Sequence, residues 1–451
     1  MKSIICEAER LSCADLQVVV LMGGLGSRLR ERTVSCPKPL VPIHGKPFFE
    51  YELNLLLQSG FKKFVFLVGY RANMIEEYFG DGRRYGKGIS IRYSYDGEQL
   101  LGTGGAVIRA LPLLEEDFML VYADSFMDVD YFQIMYRYFA GKSAGIKALM
   151  TVMENADRFD KSNVIFKDGE IKVYDKKNIV SEMTYIDYGI EIFSREVFAD
   201  FEKSSGEKTV DLSDIQRELV EKKRCVACEV THRFYEIGTP VSLKEFTDYA
   251  EKRFRNPQGV CFLDRDGVIN EIIFNEDTEQ LDSPLSVSQV QFLPGAVEGL
   301  KKLYESGMEL FVVTNQPAAA KGKTTLSKLY DINTFIVKEL RKKGIEIAEV
   351  SVCPHHPVGS DATKEKFLIQ ECDCRKPGAG LLMNVMRKHR IDPSCSYMIG
   401  DSYTDMLAGR TAGVKTAFIG DYKCDVCGRL QHIKPDIIGK DLLEVAGKIV
   451  C

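Results

Sequence analysis

No stretch of this 451-residue chain approaches the roughly 18 consecutive apolar residues that a bilayer-spanning helix needs, so no such helix is expected. An excess of basic charge is missing too: 60 Lys and Arg stand against 65 Asp and Glu, a formal net charge of −5. That excludes the broad cationic face of a general nucleic-acid binder, but leaves room for local basic pockets that take phosphorylated metabolites. Low-complexity tracts and internal repeats are absent. With 45% hydrophobic and 28% charged residues, the composition is that of globular domains and argues against long disorder. The opening MKSIICEAERLSCADLQ breaks any apolar stretch with acidic residues. It does not read as a secretory signal, and a cytoplasmic location is expected. In that reducing compartment the 13 cysteines read as thiols or metal ligands rather than disulfides.

Two strand–loop–helix openings are present. Gln17–Met22 (QVVVLM) runs into glycines, and Gly259–Leu263 (GVCFL) runs into Asp264. Phe49–Leu57 has the spacing of an amphipathic helix. Phe64–Val68, Phe118–Tyr122 and Leu310–Val313 read as buried strands. Alternation of this kind predicts α/β architecture with mostly parallel sheets. Between the openings, Tyr249–Gln258 is charged, contains Asn-Pro and has no apolar period. The expected division is a domain over 1–250, a linker over 251–258 and a second domain over 259–451, each long enough for its own core.

Residues 22–30 read MGGLGSRLR. Gly23, Gly24 and Gly26 let the backbone approach a phosphate chain with N–H groups turned inward, and Arg28 adds a planar multi-donor cation. Lys38 follows between two prolines, which stiffen its backbone. The glycine spacing is neither G-x-G-x-x-G nor a Walker loop. By themselves the glycines fit a tight turn as well as a phosphate site. The combination GGLGSRL with PKPL resembles the sugar-1-phosphate nucleotidyltransferases, over residues 17–245. That resemblance implies a Rossmann-like fold. It also implies that Gly102 and Thr103 in LGTGGA approach the base and ribose, that Asp124 and Glu236 hold Mg²⁺, and that Lys176 of the Asp175-Lys176 pair meets the sugar phosphate. Many relatives have Asp where Glu236 stands. Arg28 and Lys38 would offset the charge that builds up as a sugar-1-phosphate oxygen attacks the α-phosphorus of a nucleoside triphosphate.

Residues 261–270 read CFLDRDGVIN, with two aspartates at the end of an apolar strand. A calcium loop would need Glu at its twelfth position, and Asn275 stands there. Thr314-Asn315 ends a second apolar run, Arg375-Lys376-Pro377 supplies cations, and Asp401 and Asp405 follow a third. In this order the motifs resemble the haloacid-dehalogenase phosphatases, across 259–451, which implies a second Rossmann-like domain. The resemblance makes Asp264 the nucleophile and Asp266 the general acid and base. It has Thr314 and Asn315 hold phosphate oxygens and Lys376 neutralise the phosphoryl charge. Mg²⁺ would sit on Asp264, the carbonyl of Asp266 and Asp401. Asp405 is expected to cap or orient a loop.

Cys353, His355, Cys372 and Cys374 form a Cys₃His set of the number and softness that structural Zn²⁺ takes, with His356 a competing ligand. The zinc loop, the doubled His and the long insert before Cys372 look like the heptose-bisphosphate phosphatases, in which the residue at Arg375 helps recognise substrate. Gln316-Pro-Ala-Ala-Ala320 departs from that pattern. Cys225-x-x-Cys228 and Cys424-x-x-Cys427 read as free thiols. The N-terminal motifs GGLGSRLR and KPLVPIHGKPFFEY look most like heptose-1-phosphate guanylyltransferases, so GTP is the expected donor. The alternatives are a histidinol-phosphate phosphatase fused to a hexose-1-phosphate nucleotidyltransferase, and a sugar-nucleotide sensor without turnover.

Overall fold

The structure, a computed structural model, describes residues 12–24, 36–97, 101–205, 209–255, 259–275, 280–420 and 433–450. Arg28, Gly26, Cys424 and Cys427 lie outside them. The chain divides into two compact units, Met1–Glu251 and Lys252–Cys451. The helix Pro240–Phe254 runs through the first residues of the stretch read as a linker.

In the first unit Val18, Val19 and Val20 are fully buried, as a β-branched run between two parallel neighbours should be. Gln17–Leu21 pairs in parallel with Lys63–Val68 on one side and Asp117–Tyr122 on the other, and Ser90–Tyr95 extends the sheet beyond Lys63–Val68. Chain order reverses at Gln17–Leu21, the kind of switch point where open α/β sheets bind ligands. In the other half of this sheet most pairings are antiparallel, which departs from the expected mostly parallel arrangement, while Cys225–Glu229 runs parallel to Ala148–Glu154. Tyr185–Ser194 runs against both Asp117–Tyr122 and Ala148–Glu154. Val164–Lys167 and Glu170–Tyr174 form a hairpin. In that hairpin Asp168 and Gly169 both take positive φ, 54° and 77°, as the tight turn requires.

In the second unit six strands are all parallel, in the order Glu349–Cys353, Glu309–Asn315, Val260–Leu263, Tyr397–Gly400, Lys415–Ile419, Ile437–Gly439. Asp264, Asn315 and Asp401 therefore leave or end three neighbouring strands at the same sheet edge. The helix Tyr403–Ala412 begins there with a capping box, in which Ser402 and Asp405 satisfy each other's backbone N–H groups. No helix of the described residues is long and apolar enough to cross a membrane.

Candidate active sites

At the C-terminal sheet edge of the first unit lies a cavity of about 320 Å³. Gly23, Gly24, Lys38, Asp96, Gly102, Thr103 and Asp124 are among its lining residues. Lys38 Nζ sits 2.7 Å from Asp124 Oδ2. Glu236 is brought beside Asp124 by the short antiparallel pairing of Tyr235–Glu236 with Ser125–Phe126, in which Glu236 faces Ser125. Asp124, in the turn before Ser125–Phe126 and lining the cavity, with Glu236 on the strand paired to that segment, suits Mg²⁺, which takes one or two protein carboxylates and fills its other positions with water and phosphate oxygens.

The glycines differ in what they face. A Cβ on Gly24 would meet nothing, so its backbone is open to the cavity. Gly102, at φ +76°, backs onto the Val210 carbonyl, which a Cβ would approach to 2.4 Å. The Thr103 hydroxyl accepts from the Leu212 N–H at 2.9 Å. Packing against the 209–212 segment therefore accounts for Gly102 without a ligand, although both residues line the cavity.

A Cβ on Gly23 would come within 2.6 Å of Asp96 Oδ2, and one on Gly69 within 2.9 Å. The two glycines thus make room for a carboxylate that sequence reading passed over. Burial raises the Asp96 pKa, with Arg109 opposing. Lys176 Nζ lies 3.2 Å from Asp187 Oδ2. Its neighbour Asp175 is bound into its own turn by the N–H groups of Lys177 and Asn178.

In the second unit Lys376 is buried and its ammonium is fully engaged. It lies 2.9 Å from Asp264 Oδ1 and 2.6 Å from Asp405 Oδ1, and donates to the Val313 carbonyl at 2.9 Å. Asp264, Asp401 and Asp405 place carboxylate oxygens within 4.8 Å of one another. Burial pushes Asp264 up to about 6, Lys376 opposing and Asp405 and Asp266 adding. Burial pushes Asp401 up to about 7, with Asp264 and Asp405 adding. Three carboxylates against one ammonium leave a deficit of positive charge, and this donor set suits Mg²⁺. Gly267, at φ +82°, is needed here because a Cβ would stand 2.0 Å from Asp401 Oδ2.

Asp266 turns its side chain away from that cluster. It accepts from Arg265 Nη2 at 2.9 Å, Asn270 Nδ2 at 2.9 Å, Ser283 Oγ at 2.8 Å and Gln316 Nε2 at 2.6 Å. Burial opposes its ionisation, but the Arg265 guanidinium and these donors outweigh burial and hold its carboxyl below the usual range. Arg265 is itself fully buried and also donates to Asn333 and Gln316, each at 2.8 Å. Asn315 does not point to open space. Its side chain exchanges two 3.0 Å hydrogen bonds with the Lys376 backbone and so fixes that lysine. Thr314 Oγ1 accepts from Gln316 Nε2 at 2.9 Å.

Cys353, His355, Cys372 and Cys374 converge with all four ligand atoms within 4.8 Å. Cys374 Sγ lies 3.2 Å from Cys353 Sγ and 3.3 Å from Cys372 Sγ, and His355 Nδ1 lies 3.4 Å from Cys374 Sγ. A tetrahedral ion with Zn–S bonds near 2.3 Å would set sulfurs about 3.8 Å apart, so the cluster is of the right size. Hydrogen bonds from Cys374 and His355, against burial, favour the thiolate of Cys353. His356 turns away to the backbone of Val358. The cluster adjoins the phosphatase-like site: the Gln316 N–H donates to the Cys353 carbonyl and Arg375 Nη1 to the His355 carbonyl. Cys225 and Cys228 pack into cores on opposite faces of their strand.

The nucleotidyl transferase family model matches residues 17–253, and a HAD-hydrolase-like model matches 373–445. A D-glycero-β-D-manno-heptose-1,7-bisphosphate 7-phosphatase of Pasteurella multocida is 35% identical over 158 residues, 35% of this chain and 79% of that protein. A D-glycero-α-D-manno-heptose-1,7-bisphosphate 7-phosphatase of Photorhabdus laumondii is 31% identical over 36% of this chain and 81% of that protein. A D-glycero-α-D-manno-heptose 1-phosphate guanylyltransferase of Campylobacter jejuni is 29% identical over 231 residues, 51% of this chain and 98% of that protein. The chain is thus an enzyme that joins two families in one polypeptide, belonging through its first half to the nucleotidyl transferases and through its second to the heptose-1,7-bisphosphate 7-phosphatases of the HAD-like hydrolases.

Proposed function

We propose that the two halves catalyse successive steps on one sugar. In the C-terminal site D-glycero-D-manno-heptose 1,7-bisphosphate loses its 7-phosphate. In the N-terminal site the resulting heptose 1-phosphate takes GMP from GTP, giving GDP-heptose and pyrophosphate. The observation that carries this is the pairing itself. A phosphatase that removes the distal phosphate leaves the anomeric phosphate that a nucleotidyltransferase needs. The guanylyltransferase relative and the Photorhabdus laumondii phosphatase are named for the α anomer, and the Pasteurella multocida phosphatase for the β anomer, so the relatives' names do not choose between them.

In the first reaction an Asp264 oxygen attacks the C7 phosphorus, and the bond from phosphorus to the sugar oxygen breaks. Asp266 gives the leaving oxygen a proton. As a carboxylate it then takes a proton from the water that hydrolyses the aspartyl-phosphate. The donors Arg265, Gln316, Asn270 and Ser283 around Asp266 favour its carboxylate, the form that second half-reaction uses. Lys376, fixed by Asn315, offsets the phosphoryl charge. Thr314 lies at the same strand end to meet a phosphate oxygen. Arg375, clipped to the Cys₃His loop, is presented for the rest of the sugar. Zn²⁺ in that loop is structural. Mg²⁺ on Asp264, Asp401 and the Asp266 carbonyl would supply electrostatic stabilisation of the transferring phosphoryl group.

In the second reaction an oxygen of heptose 1-phosphate attacks the α-phosphorus of GTP, and the bond to the β-phosphate bridging oxygen breaks. Gly23 and Gly24 lie along the triphosphate, Lys38 offsets charge on it, and Asp124 and Glu236 would hold Mg²⁺. Arg28 and Gly26 are assigned to the same loop on sequence alone, and Lys176 is assigned to the sugar phosphate.

Asp96 supports guanine over the other bases. It follows Ser90–Tyr95, three strands from Asp117–Tyr122 and hence from Asp124. At roughly 4.8 Å per strand that is about 14 Å, a span suited to a nucleoside between its base edge and its α-phosphate. An ionised carboxylate is acceptor-only. Guanine presents N1–H and its 2-amino group side by side, two donors for two oxygens. Adenine and cytosine set a ring acceptor on that edge, and uracil flanks its one N–H with two carbonyls.

A cytoplasmic setting accords with a clustered Cys₃His site. The deciding experiment offers heptose 1,7-bisphosphate, heptose 1-phosphate and histidinol phosphate as phosphatase substrates, and heptose 1-phosphate with each of the four nucleoside triphosphates. The reading expects phosphate from the bisphosphate and a GDP-sugar with GTP. Phosphate from histidinol phosphate in preference, or no turnover at all, refutes it.

A further inference from the structure

Behind the cavity of the first unit, two carboxylates that the proposed reaction does not use are buried together. Tyr185–Ser194 slips register against Ala148–Glu154 between Asp187 and Glu191, and Gly189 within the slip takes φ +98°. The irregularity brings both acids to one pocket, where Tyr174 and Gln216 are also buried. Asp187 Oδ1 accepts from the Gly189 N–H at 3.2 Å. Asp187 Oδ2 lies 3.3 Å from Gln216 Nε2, 3.2 Å from Lys176 Nζ and 3.2 Å from the Tyr174 hydroxyl, which also donates to Gln216 Oε1 at 2.8 Å. Gln216 Nε2 also donates to Glu191 Oε1 at 3.0 Å, while Glu191 Oε2 is buried without a hydrogen-bond partner.

Charge counting then fixes the roles. Lys176 is the cation at this pocket, and its side chain is half-exposed whereas that of Asp187 is almost completely enclosed. A second ionised carboxylate beside one half-exposed ammonium in a low-dielectric interior would be costly. Burial, with Asp187 adding, pushes the Glu191 carboxyl well above the usual carboxylate range. The carboxyl group that meets Lys176 is that of Asp187, at 3.2 Å.

We infer that Asp187, backed by Glu191, Gln216 and Tyr174, is a positioning residue that anchors Lys176 at the sugar-phosphate subsite. The anchor holds the ammonium of a flexible side chain from inside the fold and leaves its remaining donors to be shared with an incoming phosphate. This rests on the proposed contact of Lys176 with the sugar phosphate. Asp187 touches neither substrate, so its effect belongs to one KM and not to the other.

The test is steady-state nucleotidyl transfer by the full chain with GTP and heptose 1-phosphate. Asp187→Asn should raise KM for the sugar phosphate about 10-fold or more and leave KM for GTP within about twofold, the scale at which orienting partners act. Glu191→Gln, a neutral group of the same shape, should behave as wild type. In a Lys176→Gln background Asp187→Asn should add little, because both act through one ammonium. If Asp187→Asn does not fold, as read by thermal unfolding, Tyr174→Phe takes its place with a smaller shift in the same KM. Four results overturn the anchor: an unchanged KM, equal shifts in both KM values, a sugar-phosphate KM that falls because Asp187 merely competes with the substrate, or a Glu191→Gln as damaged as Asp187→Asn. A wild-type chain that uses no sugar 1-phosphate removes the subsite and the anchor together, whereas an active wild type with an indifferent Asp187→Asn removes the anchor alone.

Discussion

Replacing the 2-amino group of the nucleotide by hydrogen probes Asp96 without touching the protein. Inosine triphosphate keeps N1–H and loses one of the two donors proposed to meet the carboxylate. A hydrogen bond to a charged group contributes about 1.5–3 kcal/mol, so the unaltered enzyme should prefer GTP over ITP by roughly 10- to 150-fold in kcat/KM. Asp96→Asn changes the other side of the same contact. Its amide offers one acceptor and sets a donor against guanine's donors, so kcat/KM for GTP should fall on the order of 10²-fold or more, as for a recognition site left unpaired. The GTP-to-ITP preference should collapse toward unity at the same time. Pyrophosphate release with heptose 1-phosphate reads both, and phosphate release at the other active site shows that the variant chain is otherwise intact. Asp96 has space for this role only because Gly23 and Gly69 lack side chains. The reasoning is refuted if wild type uses ITP as well as GTP, or if Asp96→Asn lowers both nucleotides equally and keeps their ratio.

Acid should act in the same direction. Burial raises the Asp96 carboxyl above the ordinary aspartate value of about 3.9, so the GTP-to-ITP preference should be full at neutral pH and fade as pH falls through that raised value. A preference constant down to the ordinary value would contradict it. Asp264→Asn should reduce phosphate release by a factor on the order of 10⁵ while nucleotidyl transfer to heptose 1-phosphate continues; loss of both would argue against separate sites. Gly267→Ala should abolish phosphatase turnover without harming transfer, because its Cβ would stand 2.0 Å from Asp401 Oδ2. Metal analysis should find one zinc per chain. Cys353→Ser or strong chelation should remove it and lower both the unfolding temperature and the phosphatase activity of the second unit. Full activity in a zinc-free chain would contradict the clip.

The phosphatase-like site was largely legible because its residues sit at the ends of short apolar runs: Asp264 after VCFL, Thr314-Asn315 after FVV, and Asp401 after MIG. A parallel sheet brings such ends together whatever lies between them. Two roles shifted. Asn315 grips the Lys376 backbone, and Asp405, expected only to cap, caps a helix with one oxygen and meets Lys376 with the other. Asp96 and the Asp187–Glu191 pair were not legible. An aspartate at a strand end and acids inside a strand carry no signal until the fold shows glycines or a lysine beside them. The antiparallel half of the first sheet did have a sign in the sequence, Asp168-Gly169 between β-branched runs, which predicts a hairpin. Arg265 was hidden for the opposite reason. A charged residue between two aspartates reads as solvated, and only the structure shows it enclosed and bound to Asp266, Gln316 and Asn333.

The order of the two reactions is the central claim, and phosphorus NMR of the Asp264→Asn chain with GTP tests it most directly. Supplied with heptose 1-phosphate, this variant should form GDP-heptose and pyrophosphate. Supplied with heptose 1,7-bisphosphate, it should leave both sugar phosphates and GTP unchanged, while the unaltered chain converts the same mixture to phosphate, pyrophosphate and GDP-heptose. Formation of a nucleotide sugar that still carries its 7-phosphate would contradict the account.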